Sequence, residues 1–256
     1  MRRGLFVLMS LMVISVLLDA QSSNPDDQKN EAKKLFNEAN GLFRSGNYAA
    51  AIEKGKAALA LEEDYRYHYL LGLCYKNSRQ YDNAISSLMA STKVMPNFAG
   101  SHNAIGGVYL TQGNYDGALE SFKTALKHDA KLKPSLVGIT EAYAGKVQQL
   151  LEQGKFEEAG TTSDEALQQH SDNSKLYLVA ARVYNRLEKP ENALEAANEA
   201  LKLKKGKSKG AEYFEIGTAY KKMKEFHKAR SAFGEARKDV AYSRNAQYEL
   251  DGLKGK

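Results

Sequence analysis

The chain carries one cysteine, four prolines and no tryptophan, and none of its apolar runs reaches the length of a membrane span. Each scarcity excludes something. A lone thiol, Cys74, cannot close an internal disulfide, so stability must come from packing, and the side chain reads as a small buried apolar filler. With four prolines and 20 glycines in 256 residues, little breaks helices, and long helical stretches are open to most of the sequence. The missing tryptophan is offset by 15 tyrosines and 9 phenylalanines. Hydrophobic residues make up 43% and charged residues 27%, a globular balance rather than that of a disordered or multipass membrane chain.

The N-terminus differs in kind from the rest. Arg2 and Arg3 precede an apolar stretch from Leu5 to Leu18, followed by Asp19 and Ala20. A basic start, a short apolar middle and a small residue at the end describe a secretory signal peptide over residues 1–20. The stretch is short for a span of about 20 residues, although an uncleaved anchor remains the alternative. Either way the arginines stay cytoplasmic and the rest is exported, to the periplasm, the cell envelope or the outside. Residues 21–30, with Ser22, Ser23, Pro25, Asp26 and Asp27, read as a flexible leader.

From there a phrase recurs six times. It is Gly-Asn-Tyr-Ala-Ala-Ala at 46–51 and Gln-Tyr-Asp-Asn-Ala at 80–84. It returns at 113–118, 154–159, 189–193 and 224–229. Its closing alanines are Ala51, Ala84, Ala118, Ala159, Ala193 and Ala229, spaced 33, 34, 41, 34 and 36 apart. Seven residues later comes a second small column: Ala58, Ser91, Ala125, Ala166, Ala200 and Ala236. Twelve before the first lies a third: Ala39, Gly72, Gly106, Val147, Ala181 and Gly217. Between them runs an aromatic-or-leucine column: Leu42, Tyr75, Tyr109, Leu150, Tyr184 and Tyr220. Small residues at fixed offsets let paired helices approach closely.

These columns resemble the tetratricopeptide repeat, a 34-residue helix–turn–helix unit, over residues 31–238. The family's usual tryptophan is replaced by Leu35, His68, His102, Tyr143, Tyr177 and Tyr213, and its proline after the second helix survives only as Pro96. The resemblance implies an all-α, right-handed α-solenoid of six repeats, near 31–64, 65–98, 99–132, 133–173, 174–209 and 210–238. A capping helix and tail would follow over 239–256, with Ala241, Ala246, Leu250 and Leu253 as its apolar stripe. The spacing of 41 adds seven residues, close to two helical turns, so a helix from about Pro134 to Gln153 keeps one face buried through Leu136, Ile139, Tyr143, Val147 and Leu150. Pro190 falls in the first turn of a second helix, where its missing N–H costs nothing.

No chemistry-bearing constellation emerges. No two of His68, His102, His128, His170 and His227 lie three or four apart, and no His/Cys/Asp cluster has metal-ligand spacing. His68 and His102 share a column of adjacent repeats, where packing roles are expected. Gly145-Lys146 and Gly154-Lys155 lack the rest of a phosphate-binding loop, and no nucleophile elbow occurs. No catalytic residue, metal or cofactor is expected, and the chain does not read as an enzyme.

In the family that these repeats resemble, first helices line a concave groove that holds a peptide. Carried over repeat by repeat, the lining is Lys33, Phe36, Asn40 and Phe43; then Arg66, Tyr69, Leu73 and Lys76; then Asn103, Gly107 and Leu110. The fourth repeat gives Glu141, Gln148 and Leu151, the fifth Lys175, Leu178, Arg182 and Asn185, and the sixth Phe214, Thr218, Lys221 and Lys222. This mixture of basic and apolar side chains suits an acidic polypeptide with apolar anchors. The chaperone-binding members grip a terminal carboxylate with a lysine and an asparagine four apart; Asn40 is present, but Phe36 stands where that lysine would be. Charge is uneven as well. Residues 201–256 hold 15 lysines and arginines against 7 acidic residues, an excess of eight in a chain of net +6. Lys202, Lys204, Lys205, Lys207 and Lys209 form a basic patch, read as a solvated turn or a dock for an anionic lipid or polymer. Nucleic acid is not expected, because no recognition module is present.

Overall fold

The computed structural model describes residues 24–255, and all of its regular structure is helical: thirteen helices and no strand among the described residues. The proposed signal peptide lies outside those residues. In order they are α1 (Pro25–Arg44), α2 (Tyr48–Leu61), α3 (Tyr65–Asn77), α4 (Tyr81–Val94), α5 (Ala99–Thr111), α6 (Tyr115–His128), α7 (Lys133–Glu152), α8 (Phe156–Gln169), α9 (Ser174–Arg186), α10 (Pro190–Leu203), α11 (Gly210–Lys222), α12 (Phe226–Ala236) and α13 (Ser243–Gly252). None of them is long and apolar enough to cross a membrane.

Two compact units result. The first takes the described residues through Val108 together with Ser121–Leu132; the second takes Tyr109–Glu120 together with Lys133 onward. In the first, α1 packs on α2 and α3 on α4, while α2 lies against α3. In the second, α7 packs on α8, α9 on α10, α11 on α12 and α12 on α13. Consecutive pairs stack there through α8 against α9 and α10 against α11. This is α-solenoid packing, in which each pair buries its apolar face on the next.

The small columns explain how the helices come so close. All eighteen of their residues are buried, most of them completely. Where the first helix carries glycine, the second helix fills the space with a large side chain. A Cβ placed on Gly72 would stand 2.5 Å from Leu88, and one on Gly106 would stand 2.8 Å from the ring of Phe122. The equivalent positions of the fourth and fifth repeats are Val147 with Ser163 and Ala181 with Ala197, so volume is traded across the pair. Ser91, the one polar member of its column, is satisfied: its hydroxyl donates to the Tyr65 carbonyl at 2.8 Å and meets the Ser101 hydroxyl at 2.7 Å.

The turn inside each pair is the same device six times. Gly46, Arg79, Gly113, Gly154, Glu188 and Lys224 all have positive φ, between 55° and 80°. The N–H of the following residue donates back to the carbonyl of Leu42, Tyr75, Tyr109, Leu150, Tyr184 or Tyr220, at 2.9 Å each time. A left-handed residue closed by that bond is the usual helix stop, and it fixes the reversal into the second helix. The aromatic-or-leucine column thus marks the acceptor of the turn.

One boundary and two side chains, Leu136 and Ala241, differ from expectation. Residues 25–30 belong to α1 rather than to a leader. The Asn24 side chain accepts the Asp26 N–H at 3.3 Å, Pro25 opens the first turn, and Asp26 and Asp27 complement the helix dipole. The added heptad is absorbed in α7, which is 20 residues long. Ile139, Tyr143, Val147 and Leu150 are buried along it, but Leu136 is 40% exposed, while Ser135 beside it is wholly buried and takes the inward side at that end. At the C-terminus, α13 covers Ala229, Phe233 and Ala236 with Ala246 and Leu253, while Ala241 precedes the helix and is exposed.

Candidate groove of the second unit

A groove of about 900 Å³ opens in the second unit on the side of its first helices. It is built around α9, which packs against both α7 and α11. Leu151 of α7 and Phe156 of α8 line one part, and Phe214 of α11 and Tyr242, just before α13, line another. Arg182, Asn185 and Arg186 of α9 also line it. Arg182 and Arg186 are one turn apart and so present themselves along one face of α9.

Under the groove lies a buried polar network. Glu215 is 8% exposed and Asn185 4%. The Asn185 amide donates to the Glu215 carboxylate at 2.9 Å and to its carbonyl at 3.2 Å. The Arg182 guanidinium donates to the same carboxylate at 3.3 Å and to the Tyr242 hydroxyl at 3.0 Å. Burial pushes the Glu215 carboxyl above the ordinary carboxylate range, and the bonds from Asn185 and Arg182 pull only partly against it. Asn185 is thus a base for the groove rather than a free hand within it.

The expected basic lining is largely answered by the chain's own carboxylates. Lys221 pairs with Glu249 at 2.5 Å, and Lys222 with Glu188 at 2.6 Å. Lys175 pairs with Glu141 at 2.5 Å, beside a second, smaller opening lined by Leu136 and Val137. Three of these bridges, Glu141–Lys175, Arg182–Glu215 and Glu188–Lys222, join residues 33 or 34 apart, one repeat length. They are rungs between neighbouring repeats. Arg186 is different: it is exposed and makes no hydrogen bond or salt bridge among the described residues, and it acts on Glu215 through its charge.

In the first unit, several expected groove residues serve packing or capping. Phe36 stacks on Tyr67 with ring centroids 4.8 Å apart, and Phe43 lies 5.7 Å from Tyr48. Tyr69 meets the edge of Phe98 at 5.1 Å. Arg66 folds back on Asp64, the N-cap of its own helix, at 2.5 Å. The Lys76 ammonium lies over Gly107, and Asn40 and Asn103 are half-buried while Lys33 is exposed. Cys74 is buried, and burial pushes its thiol up to about 11, which suits a filler.

The histidines keep to local partners. His68 meets Glu63 and His102 meets the Pro96 carbonyl, both at 2.8 Å; His102 also stacks on His128, 5.3 Å away. Among the described residues no group of three His, Cys, Asp or Glu could hold a metal ion. In the basic patch, Lys202 pairs with Glu199 and Lys204 with the wholly buried Glu212. Lys205, Lys207 and Lys209 have no such partner among the described residues.

Residue columns alone do not reveal Tyr242, Glu249, Phe156, Arg186 or Glu152. Tyr242 and Glu249 come from the C-terminal segment, outside the repeat, so no column points to them. Arg186 is the simplest omission, because it lies four residues after Arg182 on the same helix.

Known proteins share this organisation. The sequence model of the tetratricopeptide repeat matches residues 36–92, 76–135 and 145–208. A heat shock protein sti1 homolog of Schizosaccharomyces pombe is 27% identical over 128 residues, 49% of this chain and 21% of that protein. The chain thus spans about a fifth of the relative's length. The structure of pilF from Pseudomonas aeruginosa superposes with a TM-score of 0.53 at 13% identity, over 88% of this chain and 99% of that one. The MamA RS-1 ArsTM double mutant gives 0.51 at 19% identity, over 68% and 94%. At such identities the structural likeness is one of fold. With its sequence columns, paired helices and family match over more than half its length, the chain belongs to the tetratricopeptide repeat family.

Proposed function

We propose that the chain is a non-enzymatic scaffold that receives a segment of another polypeptide in the groove of its second unit. The observation that carries this is the combination at α7, α9 and α11: an open groove of about 900 Å³, apolar walls, and an exposed guanidinium, Arg186, that makes no hydrogen bond or salt bridge among the described residues. Leu151, Phe156 and Phe214 take apolar side chains, and Arg186 takes a carboxylate, for which its planar fork is well shaped. The test is capture of binding polypeptides by the full chain and by Arg186→Glu. The wild type should retain polypeptides that the variant loses while its helicity is unchanged. Equal retention by both would remove the groove from the account.

The scaffold acts, in this reading, after export, in assembly or organisation of a bacterial cell envelope. Arg2, Arg3 and the 14-residue stretch Leu5–Leu18 support this. Fractionation of producing cells, with N-terminal sequencing of the product, tests it; a chain that stays in the cytoplasm with residues 1–20 attached would contradict it. A second reading rests on the unpartnered Lys205, Lys207 and Lys209, which suit an anionic lipid or polymer. Vesicle binding that vanishes on Lys→Gln replacement would support it, and salt-insensitive binding would not.

A further inference from the structure

The C-terminal helix α13 does two things at once. Ala246 and Leu253 cover the apolar end of the last repeat, and Tyr242 and Glu249 turn toward the groove. There the Tyr242 hydroxyl accepts from Arg182 at 3.0 Å, its ring lies 5.7 Å from Phe214, and Glu249 holds Lys221 at 2.5 Å. Three of the groove's recognition groups, Arg182, Phe214 and Lys221, are therefore met by one aromatic and one carboxylate of the same chain. Tyr242 and Glu249 are seven residues apart, close to two helical turns, so they project from one side of the segment.

The helix of that segment is short and uncapped, and its remaining ties are side-chain bonds: Arg237 donates to the Gln247 side chain at 2.8 Å and Arg230 to the Leu253 carbonyl at 3.4 Å. Its helix is ten residues long, and helices of that length are marginal on their own. No side chain caps its start, Ala246 is its one fully buried helical residue, and Val240 and Tyr248 beside and within it are 93% and 78% exposed.

We propose that α13 is a displaceable internal ligand, and that the groove's partner is an acidic helical segment presenting an aromatic side chain and a carboxylate two turns apart. This deepens the scaffold reading and rests on it. The partner's carboxylate takes Lys221 from Glu249, and its aromatic ring takes the place of Tyr242 beside Phe214 and Arg182. A partner that meets all three groups must first move α13, so α13 lowers its apparent affinity by the fraction of time it is docked.

The test uses the full chain and a fluorescein-labelled peptide with the sequence of residues 239–254, read by anisotropy. The double variant Tyr242→Ala, Glu249→Ala should bind the peptide about tenfold more tightly than the wild type. Adding Lys221→Gln, which keeps the aliphatic stem, should abolish the gain; circular dichroism of each variant establishes that the repeats are intact. Equal affinity for wild type and double variant, or a gain that Lys221→Gln leaves in place, would overturn the proposal. If the peptide test fails while Arg186→Glu still loses the captured polypeptides, the scaffold reading stands without an internal ligand.

Discussion

Gly217 of α11 lies so close to Phe233 of α12 that a Cβ on the glycine would stand 2.7 Å from the ring. Phe233 is wholly buried, so the ring has nowhere to retreat. Gly217→Ala should cost about 1–3 kcal/mol by overpacking. Phe233→Ala alone should cost about 3–5 kcal/mol through the cavity it leaves. In the double variant the added methyl enters that cavity, so Gly217→Ala should cost much less there than in the wild type. Chemical denaturation of the four chains measures the coupling, and strict additivity would contradict the volume trade.

The left-handed turn residues give a paired expectation. Gly113 has φ 73° and Lys224 has φ 62° in equivalent turns. A Cβ is disfavoured there by about 1–2 kcal/mol. Gly113→Ala should therefore lower the melting temperature and Lys224→Gly should raise it. The same direction of change in both would show that the turns are not equivalent.

Ser91 and Ser101 share a buried hydrogen bond in the first unit. Removing the Ser91 hydroxyl strands that of Ser101, at a cost of about 1–3 kcal/mol. Ser91→Ala should therefore be more damaging than expected from its size, and the double variant Ser91→Ala, Ser101→Ala should regain part of the loss. A double variant no better than the sum of the singles would contradict the pairing.

Glu215 gives a pH dependence. Burial raises its folded carboxyl value above the ordinary 4.5, so the folded chain binds that proton more tightly than the unfolded chain. The group's favourable contribution is whole below about 4.5 and is lost as pH climbs through the raised folded value. Relative to Glu215→Gln, the wild type should therefore lose stability as pH rises from about 4 toward 7. Denaturation of both chains across that range checks the sign; a wild type that gains on the variant would show that Arg182 and Asn185 overcome burial.

The sequence makes the helix pairs legible because their constraint is local and repeated. Ala51, Ala84 and their counterparts are needed at each crossing, so six copies expose the rule. The turn is half legible: Gly46, Gly113 and Gly154 declare a left-handed residue, whereas Arg79, Glu188 and Lys224 conceal one. Asn24-Pro25-Asp26-Asp27 has the composition of a linker and the grammar of a helix start, and the second governs. The site is harder to read because side-chain pairing decides it. Lys222 and Lys175 belong to first helices as expected, but Glu188 and Glu141, one repeat earlier, hold them. Acidic and basic residues 33 or 34 apart are the signal that reveals such rungs.

On the proposed function, another polypeptide enters the groove at α9 and α11. Thr218 lines that groove, and its hydroxyl donates, among the described residues, only to the Phe214 carbonyl of its own helix. A photo-crosslinking residue placed at 218 in the full chain, irradiated in extract of the producing cells, tests the claim most directly. The expected result is a discrete polypeptide adduct that disappears when Arg186→Glu is added. An adduct that forms equally with Arg186→Glu, or none from 218 while an outward position such as Lys202 gives one, would contradict it.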